Sequence, residues 1–170
     1  GAARRGVFGL FVGGGVGLHL AFQLTGAPAR GFQFVIALAD GLFSGGEAGF
    51  LRSRTVSSLV ISGNEVLGAN SVPGLHVDPT SLPDGVQVSV SVEPGTQVEH
   101  PVHLCFGVVP EKGVQRIVVD FDIGARSNVA FTAHCTFPNA VEVQHIMEGT
   151  VHVGPGATMR YSETHYHGET

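Results

Sequence analysis

The stretch 92-VEPGTQVEHPVHLC-105 recurs in outline as 123-IGARSNVAFTAHC-135 and as 153-VGPGATMRYSETHYH-167, and this recurrence decides the fold. Each copy has a β-branched residue, a turn containing Gly, an apolar residue, and then a stretch that carries His. The copies begin 31 (123 − 92) and 30 (153 − 123) residues apart, within the range of roughly 20–45 residues found for solenoid repeats. None shows a helical period, so we predict an all-β solenoid, a parallel β-helix.

The composition is that of a compact β protein without a nucleic-acid-binding surface. The 170-residue chain is 43% hydrophobic and contains 25 Gly, which is typical of short strands joined by many turns. Its formal charge is −5 with only nine Lys and Arg, whereas a nucleic-acid partner requires clustered basic residues. Two cysteines, Cys105 and Cys135, do not form the disulfide framework of a small secreted domain. Free thiols beside several histidines fit a reducing compartment.

Strand patterns begin near Val56, and we divide the chain there into residues 1–55 and 56–170. The stretch 56-VSSLVISGNEVLG-68 predicts a strand, a turn and a second strand. A half-buried strand follows from valines at every second residue: Val86, Val88, Val90 and Val92. Turns are predicted at three dipeptides: Pro73-Gly74, Asp78-Pro79 and Asp84-Gly85.

Residues 1–55 form an atypical, apolar, Gly-rich leader, for which we expect a disordered or a helical state. The apolar run 7–24 raises the question of a membrane span. Five glycines lie within it, together with His19 and Gln23, so we do not expect the membrane as a partner. The cluster VGGGVGLHL lacks the spacing of a dinucleotide-binding loop, because leucines stand where a third Gly belongs.

Candidate metal ligands concentrate in the His-bearing stretches. Thiolate, imidazole and carboxylate ligands suit iron, zinc and copper, and thiolates favour zinc and iron–sulfur centres. Equivalent positions on successive coils lie about 4.8 Å apart, so we expect imidazoles and thiols to form one stripe. His103 and His134 each lie eleven residues beyond the start of their copy (92 + 11, 123 + 11), while His165 and His167 share a face with Glu163. The candidates are His103, Cys105, His134, Cys135, His145, Glu163, His165 and His167.

Each candidate also has a purely structural interpretation. A free Cys often serves as a small buried hydrophobe, and His145 in an alternating strand suits a hydrogen-bonded core position. His134 and Cys135 are neighbours in a strand and point to opposite faces unless a bulge intervenes. The remaining histidines are expected on the surface: His76, His100 and His152. No nucleophile elbow, zinc-protease motif or P-loop is present, so we expect no catalytic residues, no cofactor-binding site and no enzymatic activity.

Three long stretches resemble the SufB/SufD family of iron–sulfur cluster assembly scaffolds: 101-PVHLCFGVVPEKGVQRI-117, 133-AHCTFPNAVEVQHIMEGTVHVGPGA-157 and 163-ETHYHGE-169. The resemblance covers residues 58–170 and is closest to the short SufB/D-like form of archaea and anaerobes. It implies a right-handed parallel β-helix that serves as a non-catalytic platform in the cytoplasm. Because the family binds its ATPase chiefly through a C-terminal helical region, and this sequence stops at Thr170, we expect a β-helix truncated at its C-terminus.

The resemblance also implies partners and a cargo. The partners are a second SufB/D-type chain, the ABC-type ATPase SufC, and a cysteine desulfurase that donates sulfur. The cargo is a transient iron–sulfur cluster rather than an intrinsic cofactor. Two alternatives stay open. A metal-dependent cupin-like enzyme also uses His pairs in strands, although His165 and His167 come too late in the chain for a complete cupin. A structural β-solenoid would carry a stripe of hydroxyls or aromatics instead of His and Cys.

Overall fold

The computed structural model describes residues 5–13, 17–26 and 55–167, the first two ranges as backbone only. These residues form eleven β-strands and no helix, and none of their segments is a helix with the length and apolarity needed to cross a membrane. The strands are β1 (Arg5–Gly13), β2 (Gly17–Gly26), β3 (Ser58–Ser62), β4 (Glu65–Asn70), β5 (Leu75–Leu82), β6 (Gly85–Val92), β7 (Val102–Gly107), β8 (Lys112–Ile123), β9 (Asn128–Phe137), β10 (Glu142–Val153) and β11 (Thr158–His167).

The strands form two mixed sheets, between which the chain alternates from β6 onward. Sheet A has the order β1-β11-β9-β7-β3-β4, and sheet B has the order β2-β10-β8-β6-β5. The ladders β3-β7-β9-β11 and β6-β8-β10 are parallel, whereas β1, β2, β4 and β5 join their neighbours antiparallel. Within the described ranges neither sheet closes on itself.

The repeat found in the sequence is the register in which the strands pair. Ile123 lies opposite Val92 on one side and Val153 on the other. The turns that follow also stack, because Gly124 N–H donates to Val92 O at 2.8 Å and Gly154 N–H donates to Ile123 O at 2.7 Å. The third residue after each reference position has a positive φ: Gly95 (79°), Arg126 (60°) and Gly156 (71°). The turns therefore share one backbone conformation, which Gly adopts with least strain.

The core lies between the inner faces of the two sheets. Alternation along each strand directs every second side chain into this space, and the predicted strand 86–92 does so with Val86, Val88 and Val90, all 0% exposed. Phe121 of sheet B meets Phe131 of sheet A edge to face, with ring centroids 4.9 Å apart. The inner faces thus pack as one apolar layer.

Two predictions about local structure are wrong. Asp78-Pro79 is not a turn but lies within β5, which is an edge strand of sheet B. On the open side of an edge strand no neighbouring strand requires the N–H group that Pro lacks. The leader was expected to be disordered or helical, yet residues 5–13 and 17–26 are strands paired with β11 and β10. Edge pairing satisfies their backbone groups, and their Gly content disfavours a helix. The rest of the 1–55 expectation, and residues 168–170, lie outside the described residues.

Candidate functional site

The inner faces of two adjacent strands in each sheet become polar at one level of the core. β8 supplies Gln115, β9 supplies Cys135, β10 supplies His145, and β11 supplies three residues. Each occupies an inward position of its strand, as the alternation of buried residues requires. We call this group the inner cluster; its members are Gln115, Cys135, His145, Tyr161, Glu163 and His165.

A thiol, a carboxylate and an imidazole stand at the centre of the inner cluster. The ligand atoms of Cys135, Glu163 and His165 all lie within 4.8 Å of one another. The Cys135 thiol donates to Glu163 Oε1 at 3.5 Å, and His165 Nε2 is hydrogen-bonded to the same oxygen. Tyr161 donates its hydroxyl proton to Glu163 Oε2 at 2.8 Å. Cys135 is 0% exposed and Glu163 is 3% exposed, so solvent does not screen their interaction.

His145 completes the inner cluster from sheet B, and Gln115 fixes its orientation. The Gln115 amide nitrogen donates to the carbonyl oxygens of Gly63 at 2.6 Å and Gly107 at 3.2 Å. The amide oxygen must therefore accept from His145 Nδ1, which lies 2.7 Å away. Neutral imidazole carries one proton, so His145 Nε2 presents a lone pair. That atom lies 3.8 Å from the Cys135 sulfur.

Burial sets the protonation states of the inner cluster. It raises the pKa of Cys135 well above its ordinary value, and the Glu163 charge raises this pKa further. Burial lowers the pKa of His145 to about 4. Burial alone would raise the pKa of Glu163, but hydrogen bonds from His165 and Tyr161 outweigh it and lower this pKa. At neutral pH the cluster thus holds a thiol, a carboxylate and a neutral His145 whose lone pair can bind a cation.

Three predicted ligands lie on the opposite, outer face of sheet A. The rings of His103 and His134 stack there, with centroids 5.9 Å apart and planes 7° from parallel. Cys105 lies opposite His134 in the ladder. Burial raises the pKa of Cys105 to about 11, and burial together with the neighbouring His103 lowers the pKa of His134. The predicted single stripe is therefore wrong, because the sheet separates these residues from the inner cluster.

The expected equivalence of His103 and His134 is also wrong. In the ladder His103 lies opposite Thr132, two residues before His134. Val102 and Phe131, which pair, lie ten (102 − 92) and eight (131 − 123) residues beyond the paired positions Val92 and Ile123. The first copy therefore has two additional residues before β7, which shift the register of its His by two.

The other histidines lie where the sequence suggested. Glu163, His165 and His167 share the inner face, with the rings of His165 and His167 stacked at 6.5 Å. The side chain of His165 is 15% exposed, and burial followed by the His165 charge lowers the pKa of His167. The cluster thus opens toward solvent past these two rings. On the surface are His76, His100 and His152.

Sequence reasoning missed Gln115 and Tyr161, although the repeat contained a signal for one of them. Gln115 lies 30 residues (145 − 115) before His145 and is its partner in the ladder, so the repeat places it directly beside a candidate ligand. Tyr161 lies two residues before Glu163 and therefore on the same face. The sequence alone does not distinguish a Tyr that only packs in the core from one whose hydroxyl group donates a hydrogen bond to a carboxylate, as Tyr161 does.

Comparison with known proteins identifies two relatives. An iron–sulfur cluster assembly SufBD family protein of Pyrococcus horikoshii is 32% identical over 119 residues, which is 70% of this chain and 36% of the relative. A protein of the same description from Methanocaldococcus jannaschii is 26% identical over 110 residues, or 65% of this chain and 35% of that relative. No protein-family profile and no solved structure matches the chain.

This chain spans about a third of the length of the curated relatives it matches. The matched region covers about two thirds of the chain itself, and both relatives carry the same family description. Both relatives confirm the resemblance inferred from the sequence: the chain is homologous to the SufBD family of iron–sulfur cluster assembly proteins.

Proposed function

We propose that this chain is part of a platform on which iron–sulfur clusters are assembled, and that it acts without catalysing a reaction itself. The observation that carries the proposal is the inner cluster, in which one thiol, two imidazoles and a carboxylate meet in a buried place. Stable iron–sulfur clusters are usually held by four thiolates. A single thiolate with nitrogen and oxygen ligands favours a weakly held cargo, which suits a site that passes its cluster on.

The proposal extends to the architecture of the complete protein. Parallel ladders with a repeat of about 30 residues, and a chain that crosses between the sheets once per strand, support a parallel β-helix. The resemblance implies that this β-helix is right-handed. A cupin is an antiparallel double-sheet jelly roll, so the parallel ladders favour the β-helix over a cupin. The inner thiol and imidazoles favour a cluster-handling role over a purely structural solenoid.

The partners are proposed on the same basis. A SufC-type ABC ATPase would drive conformational change, a second SufB/D-type chain would pair with this one, and a cysteine desulfurase would supply sulfur. All three act in the cytoplasm in this proposal. The described residues contain no helical region of the kind through which the family binds its ATPase.

Anaerobic reconstitution tests the proposed function. The chain is incubated with ferrous iron and sulfide, and visible charge-transfer absorbance is followed together with the iron and sulfide content. We expect cluster absorbance in the natural chain and its loss in Cys135→Ser. The matched control is Cys105→Ser, which removes a thiol from the outer face and should leave the absorbance unchanged. Absence of absorbance in the natural chain, or equal loss in both variants, would count against the proposed function.

A further inference from the structure

We propose that the inner cluster is a preformed site for one divalent transition-metal ion, which binds Cys135 Sγ, His145 Nε2, Glu163 Oε1 and His165 Nε2 before any sulfide is present. The inference rests on the proposed function, for which Fe²⁺ is the ion supplied to this site. It adds the number and charge of the metal, its four ligands, and a role for Gln115.

The distances between the ligand atoms support a tetrahedral site. Metal–sulfur bonds of about 2.3 Å and metal–nitrogen or metal–oxygen bonds of about 2.0 Å place tetrahedral ligand atoms about 3.3–3.6 Å apart. Cys135 Sγ lies 3.5 Å from Glu163 Oε1 and 3.8 Å from His145 Nε2. Cys135, Glu163 and His165 have ligand atoms within 4.8 Å of one another. His145 lies outside that set and must move closer to it as the metal enters. Two of the six edges of the tetrahedron are therefore present. A third, from Glu163 to His165, is now a hydrogen bond and must lengthen as the metal enters.

The charges of the ligands select a divalent ion. With the thiol ionised, Cys135 and Glu163 contribute two negative charges, while two neutral imidazoles contribute none. Cys135 and Glu163 are nearly inaccessible to solvent, and an uncompensated buried charge is strongly unfavourable. A divalent cation neutralises the set. On binding, the Cys135 proton passes to solvent, and His165 presents Nε2 without its proton. That side chain is partly exposed and can exchange the proton with water.

The ligand types select among divalent ions. Mg²⁺ and Ca²⁺ prefer sets composed of oxygen atoms. One sulfur, two nitrogens and one oxygen suit Fe²⁺, Co²⁺ and Zn²⁺. Co²⁺ is therefore a suitable probe, because its thiolate charge-transfer absorbance reports directly on a Co–S bond.

Hydrogen bonds behind the ligands orient two of them. Gln115 holds His145 in the tautomer whose Nε2 faces the metal position. Tyr161 occupies Glu163 Oε2 and leaves Oε1 for the cation. Such outer contacts fix ligand orientation in metalloproteins, and their loss weakens metal affinity roughly 10- to 100-fold. Gln115 is therefore a positioning residue, which acts through His145.

Anaerobic titration of the metal-free chain with Co²⁺ tests the inference. We expect one equivalent to bind with thiolate-to-cobalt charge transfer and tetrahedral d–d bands, and Zn²⁺ to displace it. Cys135→Ser should abolish the charge-transfer band, while Cys105→Ser should retain it. His165→Ala should weaken binding; because it also removes a hydrogen bond to buried Glu163, circular dichroism checks that the variant is folded. His134→Ala, on the outer face, is its control.

The positioning role of Gln115 has its own readout. In Gln115→Leu the dissociation constant for Co²⁺ should rise roughly 10- to 100-fold, while the charge-transfer band at saturation persists because the sulfur ligand remains. Far-UV circular dichroism confirms that each variant is folded. An unchanged dissociation constant in folded Gln115→Leu would refute this role. Lack of a charge-transfer band in the natural chain, or its loss in Cys105→Ser alone, would refute the site.

The two experiments separate the inference from the proposed function. Co²⁺ binding through Cys135 without cluster formation in the reconstitution would support the metal site and contradict the assembly role. Cluster formation without binding of Co²⁺ or Fe²⁺ in the absence of sulfide would contradict the preformed site and support the assembly role.

Discussion

Replacing Gln115 by Leu should destabilise the protein more than any exposed substitution, even without metal. The change removes the acceptor of His145 Nδ1 and the donor to the carbonyls of Gly63 and Gly107. Each buried polar group left without a partner costs about 1–3 kcal/mol. The Gly107 carbonyl retains the Gly63 N–H at 2.7 Å, so the cost falls mainly on two groups. We expect the free energy of unfolding to fall by about 2–6 kcal/mol.

Urea unfolding of the metal-free protein, followed by circular dichroism, measures this cost. Gln144→Leu makes the same chemical change at an exposed position of β10 and should alter stability by less than about 0.5 kcal/mol. A double-mutant cycle with His145→Leu should give a coupling energy of about 0.5–3 kcal/mol between the two positions. Equal effects of Gln115→Leu and Gln144→Leu, or a coupling of zero, would show that the buried amide does not hold His145.

Further predictions concern pH, the core and the turns. The pKa of His145 is about 4 in the folded protein and about 6.5 in the unfolded protein. The free energy of unfolding, measured with urea, should therefore fall by about 3 kcal/mol between pH 6.5 and pH 4, because the unfolded state takes up a proton. Persistence of this loss in His145→Gln would contradict the assignment to His145. Phe131→Ala, at a side chain 1% exposed, should cost about 3–5 kcal/mol, and a thermal midpoint no lower than that of outward-facing His134→Ala would refute this packing. Arg126→Gly should stabilise the protein by about 1 kcal/mol, since Arg126 has a φ of 60° that Gly adopts without strain; a gain of the same size in Arg126→Ala would exclude this cause.

The repeat predicted the strand register but not the lengths of the connecting segments. Val92, Ile123 and Val153 were aligned from their turns alone, and they are partners in the ladder. The equivalence of His103 and His134 failed because turn similarity carries no information about the two additional residues before β7. Pro79 was misassigned because its place in an edge strand depends on which strands pair, which is set by the tertiary structure.

The site was predictable in part for a similar reason. Residue type alone identifies four candidate ligands, which are Cys135, His145, Glu163 and His165. The alternation of side chains along a strand places Glu163 and His165 on one face. Which of the two cysteines faces inward depends on the register of each strand. The role of Gln115 depends on carbonyl oxygens of Gly63 and Gly107, and no sequence pattern encodes where those backbone atoms lie.

The additional segment before β7 has a consequence that depends on its parity. Two residues advance the strand by one full side-chain period, so Leu104 stays inside and Cys105 stays outside. Deleting a single residue from 99–101 would reverse the two faces of β7. Cys105 would then point into the core, and the residues on either side of it would point outward. The protein would then enclose two thiols instead of one. A length difference of an even number of residues therefore keeps a single thiol in the interior. Insertions before β7 that preserve this arrangement should add an even number of residues.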